Sequence, residues 1–217
     1  MDREKLVGRH PTLYHMADAR NWASILRHGL LSASALLDRF GLSGDDREAV
    51  EARHRPETVA IPPGGPDPTL GVAYVRDQRP LQPEALAGCL VDVSPEGWLR
   101  LLNGRVFFWP TAERLGRMLK GYLTTEQAVF EVDTRRLLDR HGDRVELSHI
   151  NSGFATAAYP PARRGRSTFV PLADYPYSAR NEIAELTVLG AVPDIFEATV
   201  RVTGRVRGRA DRVVWEP

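Results

Sequence analysis

Strand-like and helix-like segments follow one another in a mixed order along this chain, and that order narrows the fold more than any single residue does. Short helices interrupt the strands early on, and the later part reads mostly as strand. A doubly wound parallel sheet needs regular strand–helix alternation, so the order predicts an α+β fold with short peripheral helices. Helix punctuation is most complete in "SPEGWLRLLNG", 94–104: Ser94 fits the N-cap, Pro95 the first helical position and Gly104 the terminator. "RVFFW", 105–109, follows as a buried strand, and Thr111 caps a helix within 111–122. Near the start, "TLYHM", 12–16, reads as a strand. Asn21 reads as the N-cap of a helix with Trp22, Ile25 and Leu26 on one face, ended by Gly29. Further helices are expected at 32–40, 45–55, 83–88 and 135–142, and further strands at 71–77, 128–134 and 144–150. "STFVPL", "NEIAELTVLGAV" and "FEATVRVTGRV" look like closing strands. The Pro- and Gly-rich stretch 56–71 reads as a long surface loop.

With 217 residues, 42% of them hydrophobic, the chain has enough apolar material for one full core, and a single domain over 1–217 is expected. Lys+Arg number 29 against 28 for Asp+Glu, so net charge gives no bias toward nucleic acid or membrane. Only Lys5 and Lys120 are lysines. Arginine is the better bidentate binder of phosphate and carboxylate, although genomic base composition explains the bias more simply. The single cysteine, Cys89, excludes a disulfide within the chain and suits a reducing cytoplasm. No signal-peptide pattern and no membrane-length apolar run is present, so a cytoplasmic protein without a membrane partner is expected. No GxGxxG follows a strand, "PPGGPD" lacks the ending of a P-loop, and no HExxH or CxxC suggests a metal.

Four places combine chemistry with an unusual setting. His15 ends a strand signal just before a capped helix; a satisfied structural histidine is the plainer reading. The strand 105–109 offers Phe108 and Trp109 as stacking rings and Arg105 as a cation at its start, whereas Val106 and Phe107 read as core. Tyr74, in "GVAYVRDQRP", is a rival aromatic. Alternation in 181–192 puts Ile183, Glu185 and Thr187 on one face, which makes Glu185 an acid within an otherwise apolar strand or a residue of a solvated face; Glu182 is a neighbouring competitor. The polar loop 150–169 carries Asn151, Arg163, Arg164 and Arg166 and reads either as a substrate-contacting loop or as a plain connector.

"LYHMADARNWASILRHGLL", "LNGRVFFWPTAERLGRML" and "AELTV…VPDI" occur in the order in which the ADP-ribosyltransferase superfamily carries its three motifs, and each resembles its counterpart. The likeness is to the branch that includes the diphtheria-toxin-like and poly-ADP-ribose-polymerase-like enzymes, and especially to DarT-type nucleic-acid ADP-ribosyltransferases, in which an asparagine precedes the first helix as Asn21 does. The resemblance implies an ADP-ribosyltransferase-like split β-sandwich and NAD as a co-substrate, with no metal. It implies that Glu185 is catalytic, that His15 contacts a ribose hydroxyl and that Asn21 belongs to the NAD site. It further implies that Phe108 or Trp109, with Tyr74 as the rival, stacks on nicotinamide, and that Arg105 reaches a pyrophosphate or the acceptor. The acceptor implied is a nucleic-acid base or a protein, with Asn151, Arg164 and Arg166 as its candidate contacts. Phenylalanine or tryptophan stands where many relatives have tyrosine. The chain resembles still more closely, over nearly its whole length, a bacterial family without assigned activity that shares "PTLYHM", "HGLLS", "ALLD" and "LNGRVFFW". A non-catalytic nucleotide- or partner-binding module on the same scaffold is the alternative expectation.

Overall fold

A computed structural model describes residues 1–67, 69–159, 161–178 and 182–217. Pro68 and Pro160, in the two segments read as loops, and Asn181, at the start of the expected strand 181–192, lie outside the described residues. Helix α1 (Arg3–Arg9) leads into strand β1 (Thr12–Asp18), and a 3-10 turn connects it to α2 (Trp22–His28). Then come β2 (Leu30–Leu31), α3 (Ala33–Arg39), α4 (Gly44–Glu51), β3 (Val59–Ile61), β4 (Ala73–Val75), α5 (Pro83–Cys89) and α6 (Pro95–Asn103). Strand β5 (Arg105–Phe108), helix α7 (Ala112–Leu119), β6 (Gln127–Asp133), α8 (Thr134–His141) and β7 (Val145–Ser148) follow. Strands β8 (Val170–Pro171), β9 (Glu185–Leu189), β10 (Ala191–Val192), β11 (Thr199–Arg205) and β12 (Arg212–Trp215) complete an α+β chain. Among the described residues no helix is long and apolar enough to cross a membrane.

The caps work as their chemistry dictates. Ser32 Oγ accepts from the Ala35 amide, Ser94 Oγ from Gly97 and Thr111 Oγ1 from Arg114, each satisfying a free N–H of a first turn. Asn21 is a correction: its side chain makes no capping bond, and Asp18 caps the preceding turn instead. Four elements are additional to those expected: α1, β3, the two-residue β2 and, after the last expected strand, β12. Helix α1 buries only Leu6, so its apolar period is faint, and β3 lies inside the stretch expected to be loop.

Two four-stranded antiparallel sheets carry the fold, in the orders β1-β6-β11-β12 and β5-β9-β7-β8. Leu13, Phe130, Val132 and Val202 of the first sheet share one buried cluster with Val106, Phe108, Leu147, Leu186 and Val188 of the second. The two sheets touch through backbone at one point. Tyr14 N–H donates to Trp109 O at 2.9 Å and Trp109 N–H returns a bond to Tyr14 O at 2.8 Å. The β5–β9 register, with Phe108 opposite Leu186, would set Trp109 opposite Glu185 if it ran one residue further. Trp109 pairs with β1 on the opposite edge of β5, and the β5–β9 ladder ends at Phe108–Leu186, next to Glu185.

Segments far apart in sequence also meet at the end of α2. Gly29 has φ +70° and ψ −159°, a conformation essentially confined to glycine, and β2 just after it pairs with β10. A Cβ on Gly29 would come within 2.4 Å of the Val192 and Pro193 carbonyl oxygens, which are backbone and cannot swing aside. Gly29→Ala is expected to lower the unfolding free energy by about 2–4 kcal/mol. Urea denaturation checks this, and a loss below about 0.5 kcal/mol, the range of an ordinary surface substitution, would contradict it.

Candidate functional site

A cleft of about 730 Å³ opens next to the end of the β5–β9 ladder. His15, Trp109 and Glu185, from three distant segments, line it, together with Asn21, Tyr74, Arg105 and Asn151.

His15 is half-buried on β1, between the rings of Phe108 and Phe130, at centroid distances of 5.6 and 5.8 Å. Its Nδ1 lies 2.8 Å from the Phe107 carbonyl oxygen. A carbonyl only accepts, so Nδ1 carries the proton and Nε2 is left as an acceptor. Burial pushes the imidazole pKa down to about 4 against the pull of that carbonyl, and the charge of Arg76 acts in the same direction as burial. The ring is therefore neutral at pH 7 and presents one lone pair to the cleft.

Glu185 begins β9 and is only 4% exposed, so it does not belong to a solvated strand face. Its Oε2 accepts from the Ser152 amide at 3.1 Å and the Ser152 hydroxyl at 2.6 Å. Burial raises its pKa to about 7, opposed by the two Ser152 bonds and by the charges of Arg164 and Arg114. Glu182 is exposed and not part of the cleft lining.

The aromatic assignments separate by strand parity. Phe108 is a correction: it is fully buried in the core shared by the sheets and does not line the cleft. Phe107 and Trp109, on the opposite side of the strand, do line it. Tyr74 lies across the cleft on β4. The Asn21 side chain donates from Nδ2 to Tyr74 O and accepts at Oδ1 from the Tyr74 amide, both at 2.9 Å, so it pairs with β4 as a strand would. The Arg20 guanidinium stacks on the Tyr74 ring at 3.7 Å.

The predicted basic contacts fare differently. Arg105 lines the cleft, but its guanidinium is committed to Glu146 at 2.6 Å, to the Leu101 carbonyl and to the face of Phe169. Arg164 is buried outside the cleft lining, where its Nη1 donates to Ser152 O at 3.0 Å; it positions the serine that holds Glu185. Arg166 is exposed and lies outside the lining, with its amide bonded to Asp92. The sequence reading missed Ser152, Arg76, Arg114, Tyr122 and Phe154, all of which line the cleft. Phe154 follows Asn151 in a polar loop and is 42% exposed, so proximity to that loop was the one available signal.

Among the described residues no cluster of three or more His, Cys, Asp or Glu is arranged to hold a metal. Residues 11–199 match the model of one protein family, described as a family of unknown function, DUF7002. Comparison with curated proteins gives no match.

Because Glu185 keeps its proton to a higher pH folded than unfolded, the native state binds more protons between pH 4.5 and about 7, and stability is lost as pH rises through that window. The full difference is about 3 kcal/mol. Glu185→Gln removes the titration, so the variant is expected to be the more stable protein at pH 8, with its advantage gone by pH 5. Urea midpoints at both pH values test this; an equal difference at both would mean that the carboxyl titrates as it does in water.

Proposed function

The chain belongs to the DUF7002 family of unknown function, over residues 11–199, and from the make-up of its cleft we propose that it is an NAD-dependent ADP-ribosyltransferase with an ADP-ribosyltransferase-like split β-sandwich. One observation carries this reading: His15, an aromatic ring at Trp109 and Glu185 converge on one cleft, from segments that resemble the three motifs of that superfamily in the same order. Two four-stranded antiparallel sheets joined at the Tyr14–Trp109 bridge support that reading of the fold.

Cleavage of the nicotinamide–ribose bond passes through an oxocarbenium-like transition state, and nicotinamide leaves neutral without an acid. The enzyme has to hold NAD bent and stabilise positive charge on the ribose. Glu185 does the second as a carboxylate, accepting from the ribose 2′-hydroxyl with the oxygen that Ser152 leaves open. His15 Nε2 accepts from a hydroxyl of the adenosine-side ribose. Trp109 stacks on nicotinamide, with Tyr74 across the cleft as the second ring. Asn21 holds the backbone that carries Tyr74. The acceptor is a nucleic-acid base entering past Asn151.

A second reading, a nucleotide-binding module without turnover, is favoured by the same carboxylate: Ser152 occupies one oxygen, and burial leaves Glu185 half protonated near pH 7.

Nicotinamide release from NAD in the presence of single-stranded DNA, RNA or cell lysate separates the two. Glu185→Gln is expected to fold, bind NAD and release nicotinamide at least about a thousandfold more slowly, the scale of losing one charged transition-state contact. In the wild type, kcat/KM is expected to rise with pH around a midpoint near 7, because only the ionised Glu185 acts. NAD binding without release across all acceptors would establish the module. Wild-type rates in the variant would remove Glu185 from the chemistry.

A further inference from the structure

One cation in the cleft has no place in the reaction above. Arg76 follows β4, and its Nη2 donates to Gln127 Oε1 at 2.8 Å and to the Met16 carbonyl at 3.4 Å. Its guanidinium lies over the Tyr122 ring at 4.5 Å. The Gln127 amide nitrogen is held by the Tyr122 carbonyl and by Thr125, which turns Oε1 toward Arg76. Nη1 of Arg76 is buried and has no hydrogen-bond partner among the described residues.

The carboxylates nearby are engaged elsewhere. Asp77 accepts from the Tyr122 hydroxyl and from Arg79, and Asp18 accepts from Arg20. His15 is neutral and brings no compensating charge. Arg55, 5% exposed and also lining the cleft, has no open N–H but likewise no bonded acid, and feels only the charge of Asp77. It donates to the Val50 carbonyl, to Arg76 O at 3.2 Å and to Asn103 Oδ1 at 3.0 Å, and all three acceptors are neutral. Arg114 and Arg117 on α7 add charge to the lining, Arg117 sharing its own with Glu113. A desolvated guanidinium with an open N–H and neutral partners is costly until an anion completes it. Planar N–H forks of this kind match phosphate oxygens.

We propose that Arg76 is the donor of a phosphate subsite in the cleft, reinforced by the field of Arg55, and that the bound molecule carries a phosphate or diphosphate at that point. This deepens the reading given above and rests on it for the identity of the cleft as a nucleotide site; the anion itself requires no turnover. Burial lowers the pKa of both groups, that of Arg55 to about 10, and a guanidinium keeps its proton in proteins.

Isothermal titration of the full chain with ADP, inorganic pyrophosphate and adenosine tests it. ADP and pyrophosphate are expected to bind and adenosine to bind at least about tenfold more weakly than ADP, with ADP affinity falling as salt is raised. Arg76→Gln is expected to cost about tenfold or more in ADP affinity and Arg76→Lys less, while Arg166→Gln, outside the cleft, changes nothing. If Arg76→Gln does not fold, the adenosine comparison and the salt dependence in the wild type still decide. Equal affinities for ADP and adenosine, or an unchanged ADP affinity in a folded Arg76→Gln, overturn the subsite. ADP binding through Arg76 with no nicotinamide release upholds the subsite and sinks the transferase; release of nicotinamide with Arg76 indifferent to ADP does the reverse.

Discussion

Two backbone hydrogen bonds between Tyr14 and Trp109 set the geometry on which the cleft depends. A strand has two hydrogen-bonding edges, and each residue can satisfy only one partner on each. The Trp109 N–H and carbonyl and the Phe107 carbonyl all face β1, so β1 and β9 flank opposite edges of β5, and the β5–β9 ladder ends at Phe108–Leu186. Glu185, at the first residue of its strand, lies just past the end of that ladder. The Tyr14–Trp109 pairing brings β1, and with it His15, to the other wall. A side chain at such a ladder end is reachable by a ligand and still held by the regular ladder behind it, here through Ser148 opposite Glu185.

The segments that carry His15 and Glu185 are also packing partners, which gives a physical reason for their shapes independent of chemistry. Gly29 and the β2 pair of the first segment rest on Val192 and Pro193 of the third, where no side chain fits. Asp194 in the same third segment accepts from His141 Nε2 at 2.6 Å and from Arg140. The glycine–leucine and valine–proline pairs are therefore held by contact with each other, while His15 and Glu185, elsewhere in the same two segments, line the cleft. A short motif of this kind records a fold constraint and a site constraint together.

This division explains what was legible in the sequence. Caps and terminators act within three or four residues, so Ser94, Thr111 and Gly29 gave reliable helix boundaries. Strand existence was equally readable at 12–16, 105–109 and 128–134. Strand facing at 105–109 was not, because Phe107, Phe108 and Trp109 are all aromatic and alternation carries no contrast; the core took Phe108 and the cleft took its neighbours. Asn21 read as a cap because short polar side chains before helices usually are, yet a partner 53 residues away claimed both ends of its amide. Arg105 and Ser152 depended on Glu146 and Glu185, which no local pattern connects to them.

Charge shows the same limit in another form. The chain balances to a formal +1, but the cleft lining holds five arginines against the two carboxylates Asp77 and Glu185, and only Arg105 has its charge met by an acid bonded from outside the lining at buried depth. Burial draws Arg55 from its ordinary 12.5 to about 10, which still leaves it fully charged at pH 7. The same push on a lysine, starting near ~10.4, would bring it to roughly 8, where part of the population is neutral. At a buried position such as that of Arg55, a guanidinium therefore keeps a charge that an ammonium would partly lose.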